Sequence, residues 1–151
     1  MNLTLVIVPC GQSKVWDGAP GRGPVAARDA YTGAPFKVNR EYAERFGDRW
    51  VILSAKYGFI APDFQIPGPY NVTFKRKETA PVAHQVLVHQ VRESGLDRVD
   101  TVIGLGGKEY RAAIEVAFRG TKARLLFPFA GLPLGKGMSA VKAAVAAGKP
   151  Y

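Results

Sequence analysis

A second cysteine is missing from this sequence, and with it any internal disulfide. Cys10 stands alone, so nothing argues for an oxidising compartment. Histidine is almost as scarce. His84 and His89 lie five positions apart on one expected helix, which is not the same-face spacing of a ligand pair. With one cysteine elsewhere there is no zinc pattern, and neither a metal nor another cofactor is expected. No Ser-His-Asp order is visible either. Long hydrophobic runs are also absent. No stretch approaches the roughly 18 apolar residues of a membrane span, and the beginning of the chain lacks the basic and long apolar regions of a signal peptide. The expectation is a cytoplasmic protein with no membrane attachment. Acidic charge is in short supply too: 12 Asp and Glu oppose 21 Lys and Arg, a net charge of +9. That excess favours a polyanionic partner, nucleic acid first and nucleotides or anionic metabolites second.

What is present describes an ordinary folded domain. The 151 residues are 47% hydrophobic, enough for one domain (residues 1–151) with a real core. Residues 3–9 (LTLVIVP) form a nearly continuous apolar run, as expected of a strand covered on both faces. Residues 50–54, 99–105 and 123–129 read as three further strands. Residues 35–46 carry apolar positions at helical spacing and stop at Gly47. A second helix is expected to start from Thr79 as N-cap, with Pro81 in its first turn, and to end at Gly95. RAAIEVAF and MSAVKAAVAA supply two more, while residues 18–24 and 57–79 read as irregular. Strands separated by helices or long crossovers mean an α/β fold. The expected form is a three-layer α/β/α domain around a four-stranded, mainly parallel sheet, with strand order 2-1-3-4.

In open parallel sheets, ligands bind beyond the carboxyl ends of the strands. The segments after the four strands are PCGQSK, SAKYG, GLGGKEY and PFAGLPLGK, all glycine-bearing and each with a lysine in its turn. In the first, Cys10 and Lys14 are candidates for reactive groups. An ammonium lowers a nearby thiol's pKa, and a desolvated lysine becomes a usable nucleophile. Gly11 permits close approach to a ligand, and Ser13 can bond to backbone or phosphate. Ser54 offers a hydroxyl, Lys56 a charge and Tyr57 a surface on which a base can stack. Tyr70 can stack or donate a proton, and the Asn71 amide can read a base edge. Lys75, Arg76 and Lys77 form a compact basic run suited to nucleic-acid phosphates. Gly106 and Tyr110 in GLGGKEY, and Gly131 with Lys136 before the last helix, are candidate anion cradles and substrate contacts. A buried cysteine and solvated lysines account for each of these features singly. Convergence at one end of a parallel sheet is what makes them a site.

The combination P-C-x3-K, A-R-D-A-Y-T-G, S-A-K-Y-G and P-Y-N-V-T resembles a small family marked by a P-C-G-x-x-K strand end, an A-x-D-x-Y-x-G loop and an S-A-K-[YH]-G turn. The likeness runs from Pro9 through Tyr70 and, more loosely, to Tyr110 and residues 131–136. It adds Tyr31 to the substrate-binding set. The peroxide-stress YaaA proteins are more distantly similar. The P-C-x3-K element is also similar to the catalytic domain of archaeosine synthase. That resemblance implies a lysine attacking the nitrile of a 7-deazaguanine base in transfer RNA, on a sheet of uracil-DNA-glycosylase type. Here Cys10 and Lys14 match, but Lys14 is followed by Val15 and Trp16 rather than by proline and tyrosine. The resemblance therefore implies a base-handling site rather than one particular reaction.

The reading is an enzyme acting on a nucleobase, in nucleic acid or in a nucleotide, by base modification or N-glycosidic chemistry. Lys14 would be nucleophile or electrostatic catalyst with Cys10 and Ser54 beside it. Tyr57 and Tyr70 would position the base, and Lys56 with Lys136 would neutralise phosphate. Two rivals use the same residues: a non-catalytic DNA- or RNA-binding protein of stress-response type, and a small nucleotide-binding module.

Overall fold

Leu5, Val6, Ile7 and Val8 are all wholly buried, because both faces of their strand are covered. Val6 and Val8 point into one apolar cluster with Tyr42 and Val141, whereas Leu5 and Ile7 join a second with Leu87 and Ile114. A computed structural model describes residues 2–151. Its elements, in chain order, begin with β1 (Thr4–Pro9), a single 3-10 turn (Val15–Asp17), β2 (Val25–Ala26), α1 (Ala27–Ala30) and α2 (Ala34–Phe46). They continue with β3 (Arg49–Ser54), β4 (Gly58–Ile60), β5 (Gln65–Ile66), a second 3-10 turn (Lys77–Thr79) and α3 (His84–Glu93). The chain closes with β6 (Thr101–Gly104), α4 (Lys108–Ala117), β7 (Arg124–Leu126) and α5 (Leu134–Ala147).

The main sheet has five strands in the order β4-β3-β1-β6-β7. β3, β1, β6 and β7 are parallel and stand in the expected order 2-1-3-4; β4 is antiparallel to β3 at the edge. Helices α2 and α5 pack together on one face, α3 and α4 on the other. The four-stranded expectation is therefore corrected to a mixed sheet of five. β4 is too short to carry an alternating pattern, and it forms because Gly58 turns the chain back at φ +77°. The side-chain amide of Gln90 on α3 then accepts the Phe59 N–H (2.9 Å) and donates to the Tyr57 carbonyl (2.9 Å), which pins the hairpin.

Thr79 is not a helix cap. Its hydroxyl shares a proton between the carbonyls of Thr73 (3.0 Å) and Arg76 (2.7 Å) and accepts the Thr73 N–H (3.1 Å). Ala80 then turns left-handed at φ 57°, and Val82 donates to the Ala55 carbonyl (2.7 Å). That extended link delays α3 to His84. The last helix starts earlier than expected, at Leu134, so Gly135, Lys136 and Gly137 lie in its first turn and not in a loop.

A second sheet, absent from the sequence reading, pairs β2 with β5 antiparallel. The pairing is extended by the Ala27 N–H to the Phe64 carbonyl (2.8 Å) and the Arg28 N–H to the Pro62 carbonyl (2.9 Å). It ties the excursion after β1 to the excursion after β4, and both are thereby held over the carboxyl ends of β1 and β3. Among the described residues no helix is long and apolar enough to cross a membrane.

Candidate functional site

Past Pro9 the chain leaves β1 with one last sheet contact, the Cys10 N–H to the Leu53 carbonyl (3.0 Å). Lys14 follows and is only 6% exposed. An isolated bridge to Tyr31, the Thr32 N–H bonded to the Ser13 carbonyl (3.0 Å), and its own N–H bonded to Asp17 Oδ2 (3.0 Å) hold its backbone. Trp16, 2% exposed, anchors the next turn and donates from Nε1 to the carbonyls of Arg22 (2.8 Å) and Gly23 (3.2 Å).

The Lys14 ammonium has thin compensation. Nζ donates to the Gln12 carbonyl (3.0 Å) and lies 4.5 Å from the centre of the Tyr70 ring and 5.9 Å from that of Tyr31. Among the described residues it forms no ion pair. Burial consequently pulls its pKa below 10.5, against the opposing pull of Cys10 and Asp17. Above that lowered value Nζ is a free amine with its lone pair available. Competitive acylation should therefore show Lys14 gaining reactivity at lower pH than the exposed lysines. A titration coincident with theirs would contradict a desolvated amine.

Beneath Lys14 runs a chain of hydroxyls. Ser54, wholly buried at the end of β3, accepts the N–H groups of Lys56 (3.2 Å) and Tyr57 (3.1 Å). Both lone pairs being taken, its proton goes to the Tyr70 oxygen (2.9 Å), and Tyr70 and Tyr31 share a further hydroxyl–hydroxyl bond (2.6 Å). Tyr31 is 2% exposed. Burial first, and Cys10 next, push the phenols of Tyr31 and Tyr70 well above the usual 10. Both stay protonated at every ordinary pH. Tyr110 is likewise raised by burial and then by Cys10, whose Sγ lies 3.2 Å from its hydroxyl.

Cys10, Lys14, Tyr70 and Tyr110 border two adjoining hollows, whereas the buried Ser54 and Tyr31 line neither and only hold Tyr70 from behind. The first, a cavity of about 320 Å³, is lined by Cys10, Gly11 and Lys14 past the end of β1, by Tyr110 from the first turn of α4, and by Asn71, Lys75 and Arg76 from the strap before α3. Gln12, Val72, Thr73 and Thr79 complete it, and these four, with Asp17 and Pro69 of the second hollow, are lining residues that the sequence did not single out for the site. Gln12 and Thr73 stood inside quoted motifs, PCGQSK and PYNVT, so position beside a candidate was the only available signal. The second hollow is shallower and lies against Tyr70, Pro69 and Asp17, sharing Gln12 and Asn71 with the first.

Not every candidate joins them. Tyr57 spends its ring on Tyr70 (5.5 Å, edge-on) and Phe64 (5.4 Å). Lys56 is exposed, with Nζ 5.2 Å from the Tyr57 ring centre and 5.7 Å from that of Tyr70, so it borders the aromatic cluster from outside. Gly106 plays a packing role: at φ +114°, a Cβ there would stand 3.0 Å from Pro9 and 3.2 Å from the Tyr110 Cβ, so its bareness lets Tyr110 close on β1. Ser13, Lys77, Gly131 and Lys136 line neither hollow. Among the described residues no cluster of His, Cys, Asp and Glu could hold a metal ion.

Comparison with known proteins adds a family without a chemistry. Residues 5–143 match a family of unknown function, DUF6884. The uncharacterized protein YfjM of Bacillus subtilis (strain 168) is 42% identical over 110 residues, covering 73% of this chain and 73% of YfjM. No solved structure matches the chain significantly.

Proposed function

The chain belongs to the DUF6884 family, and from its site we propose a nucleobase-handling enzyme in which Lys14 is the nucleophile. The observation that carries this reading is the buried Lys14 amine, without a carboxylate partner, opening on a hollow bordered by Lys75 and Arg76. A lysine kept only for charge would sit in water or beside an acid. One taken from water, with no ion pair among the described residues and with burial outweighing the pull of Cys10 and Asp17, frees its lone pair at lower pH.

The neighbouring groups support a base as the thing handled. Tyr70 lines the second hollow and offers an aromatic group to a flat heterocycle there, a kind of contact worth roughly 1–3 kcal/mol when the rings stack. The Asn71 amide stands at the junction of the two hollows and can pair with a base edge. Cys10 and Tyr110 line the Lys14 side, where the raised phenol stays protonated and can offer a hydrogen bond to the ligand. The likeness of P-C-x3-K to the archaeosine synthase domain points to the same class of substrate. In the glycosidic form of the reaction, Nζ bonds to C1′ as the base departs with the electrons of the C–N bond. Loss of the amine proton and opening of the sugar then give an imine.

Borohydride reduces such an imine to a stable amine. Incubation with 2-deoxyribose 5-phosphate, whose open form offers the aldehyde at C1, should yield a reduced adduct mapping to Lys14. The Lys14→Ala protein should yield none. An adduct spread over exposed lysines, or unchanged in the variant, would remove the nucleophile and favour a binding protein.

A further inference from the structure

Two cations, Lys75 and Arg76, stand beside the Lys14 amine among the residues lining the first hollow, with no carboxylate among them. Neither Lys75 nor Arg76 forms an ion pair among the described residues. The strap that carries them is preformed. Thr79 staples residues 73 and 76 through the bonds described above, and the Lys75 N–H is held by Thr73 Oγ1 (3.2 Å). Thr73 Oγ1 thus accepts one bond while its own proton has no acceptor among the described residues. A guanidinium, an ammonium and an unengaged hydroxyl proton therefore border one small space.

We propose that this hollow is a subsite for the terminal phosphate of a mononucleotide. Arg76 takes two phosphate oxygens in a fork, Lys75 supplies a second charge, and Thr73 donates its hydroxyl proton. Charge and size both favour a monoester over a strand. A phosphate monoester carries about −1.5 to −2 at pH 7 and ends the molecule. A diester carries a single charge and must leave by two chain ends. The volume of about 320 Å³ is at the small end of ligand pockets, which begin near 300 Å³. Lys77, the third member of the basic run, lines neither hollow, so two members of the run are offered to this space. That the rest of the ligand is a nucleoside rests on the function proposed above, whereas the phosphate subsite does not.

Isothermal titration of the whole protein with the four common ribonucleoside 5′-monophosphates, their nucleosides, inorganic phosphate and a 5′-hydroxyl oligonucleotide tests this. At least one monophosphate should bind 10-fold or more tightly than its nucleoside, and inorganic phosphate should compete with it. Arg76→Ala and Lys75→Ala should each weaken that monophosphate about 10- to 100-fold and leave nucleoside binding unchanged. Affinity should rise from pH 5 to 7 as the monoester takes its second charge. Equal binding of monophosphates and nucleosides, indifference to both substitutions, tighter binding of the oligonucleotide, or no binding at millimolar monophosphate would each overturn the subsite. The two proposals fail separately. Phosphate-dependent binding without a borohydride adduct removes only the amine chemistry, and an adduct without phosphate dependence removes only the subsite.

Discussion

Replacing Lys14 with methionine is expected to abolish the borohydride adduct and to lower turnover by about 10³-fold or more, while leaving the fold at least as stable. Methionine keeps the unbranched apolar stem and removes the desolvated amine. Natural proteins keep such a group at a cost in stability where activity needs it. The pH dependence separates this account from a structural one. Lys14 has a lowered pKa in the folded protein, so between that value and 10.5 the unfolded chain binds more protons than the folded one. Stability of the natural protein should therefore rise with pH through that window. Below it, the folded state carries the full burden of a buried ammonium. The methionine variant lacks this term, so its advantage should be greatest at low pH and shrink as pH approaches 10.5. Tyr31, Tyr70 and Tyr110 are raised instead, and both proteins should lose stability above about pH 10 as the unfolded phenols ionise. That loss cancels in the difference. Denaturant unfolding at a series of pH values measures it. A variant destabilised equally at every pH would make Lys14 a structural residue.

Part of this site was legible because parallel strands announce their own ends. An apolar run covered on both faces has no polar face to read, but it stops where the chain leaves the sheet, at Cys10 after β1 and at Ser54 in β3. Four such stops at one end brought Cys10, Lys14, Ser54 and Tyr110 together on paper, and the structure places them around adjoining groups. The remainder depends on pairings too short to show periodicity. β2 and β5 are two residues each, yet they carry Tyr31 to within 2.6 Å of Tyr70. Thr79 has the chemistry of a helix cap and spends it on its own strap, because the Val82 bond to Ala55 claims the backbone where the helix would begin. The glycines and lysine of residues 131–137 read as a cradle by composition, but the helix starts among them and they line neither hollow. Composition located the basic strap; only the tertiary arrangement separates Lys75 and Arg76 from Lys77.

Trp16 is where the fold and the site are most tightly joined, and Trp16→Ala should cost about 3–5 kcal/mol of stability. For a domain of ordinary stability, 5–15 kcal/mol, that is a large share of the whole. The indole is among the largest of the wholly buried side chains and packs in the cluster that contains Val8, Tyr31 and Ile66. It thereby holds the turn directly after Lys14 against the second sheet. Trp16→Phe keeps most of that apolar volume and gives up only the Nε1–H bonds to Arg22 and Gly23, residues on an exposed loop whose carbonyls can turn to water. Its cost should be nearer 1 kcal/mol. The two variants should also part in chemistry. In Trp16→Phe, Lys14 stays desolvated and its acylation keeps the low-pH profile of the natural protein. In Trp16→Ala the turn loosens, water reaches Nζ, and the profile moves towards that of an exposed lysine. Unfolding curves and competitive acylation read the two effects on the same samples. If Trp16→Ala loses stability but Lys14 still titrates low, then the Tyr31 bridge and the Asp17 bond, not the indole, set the amine's environment.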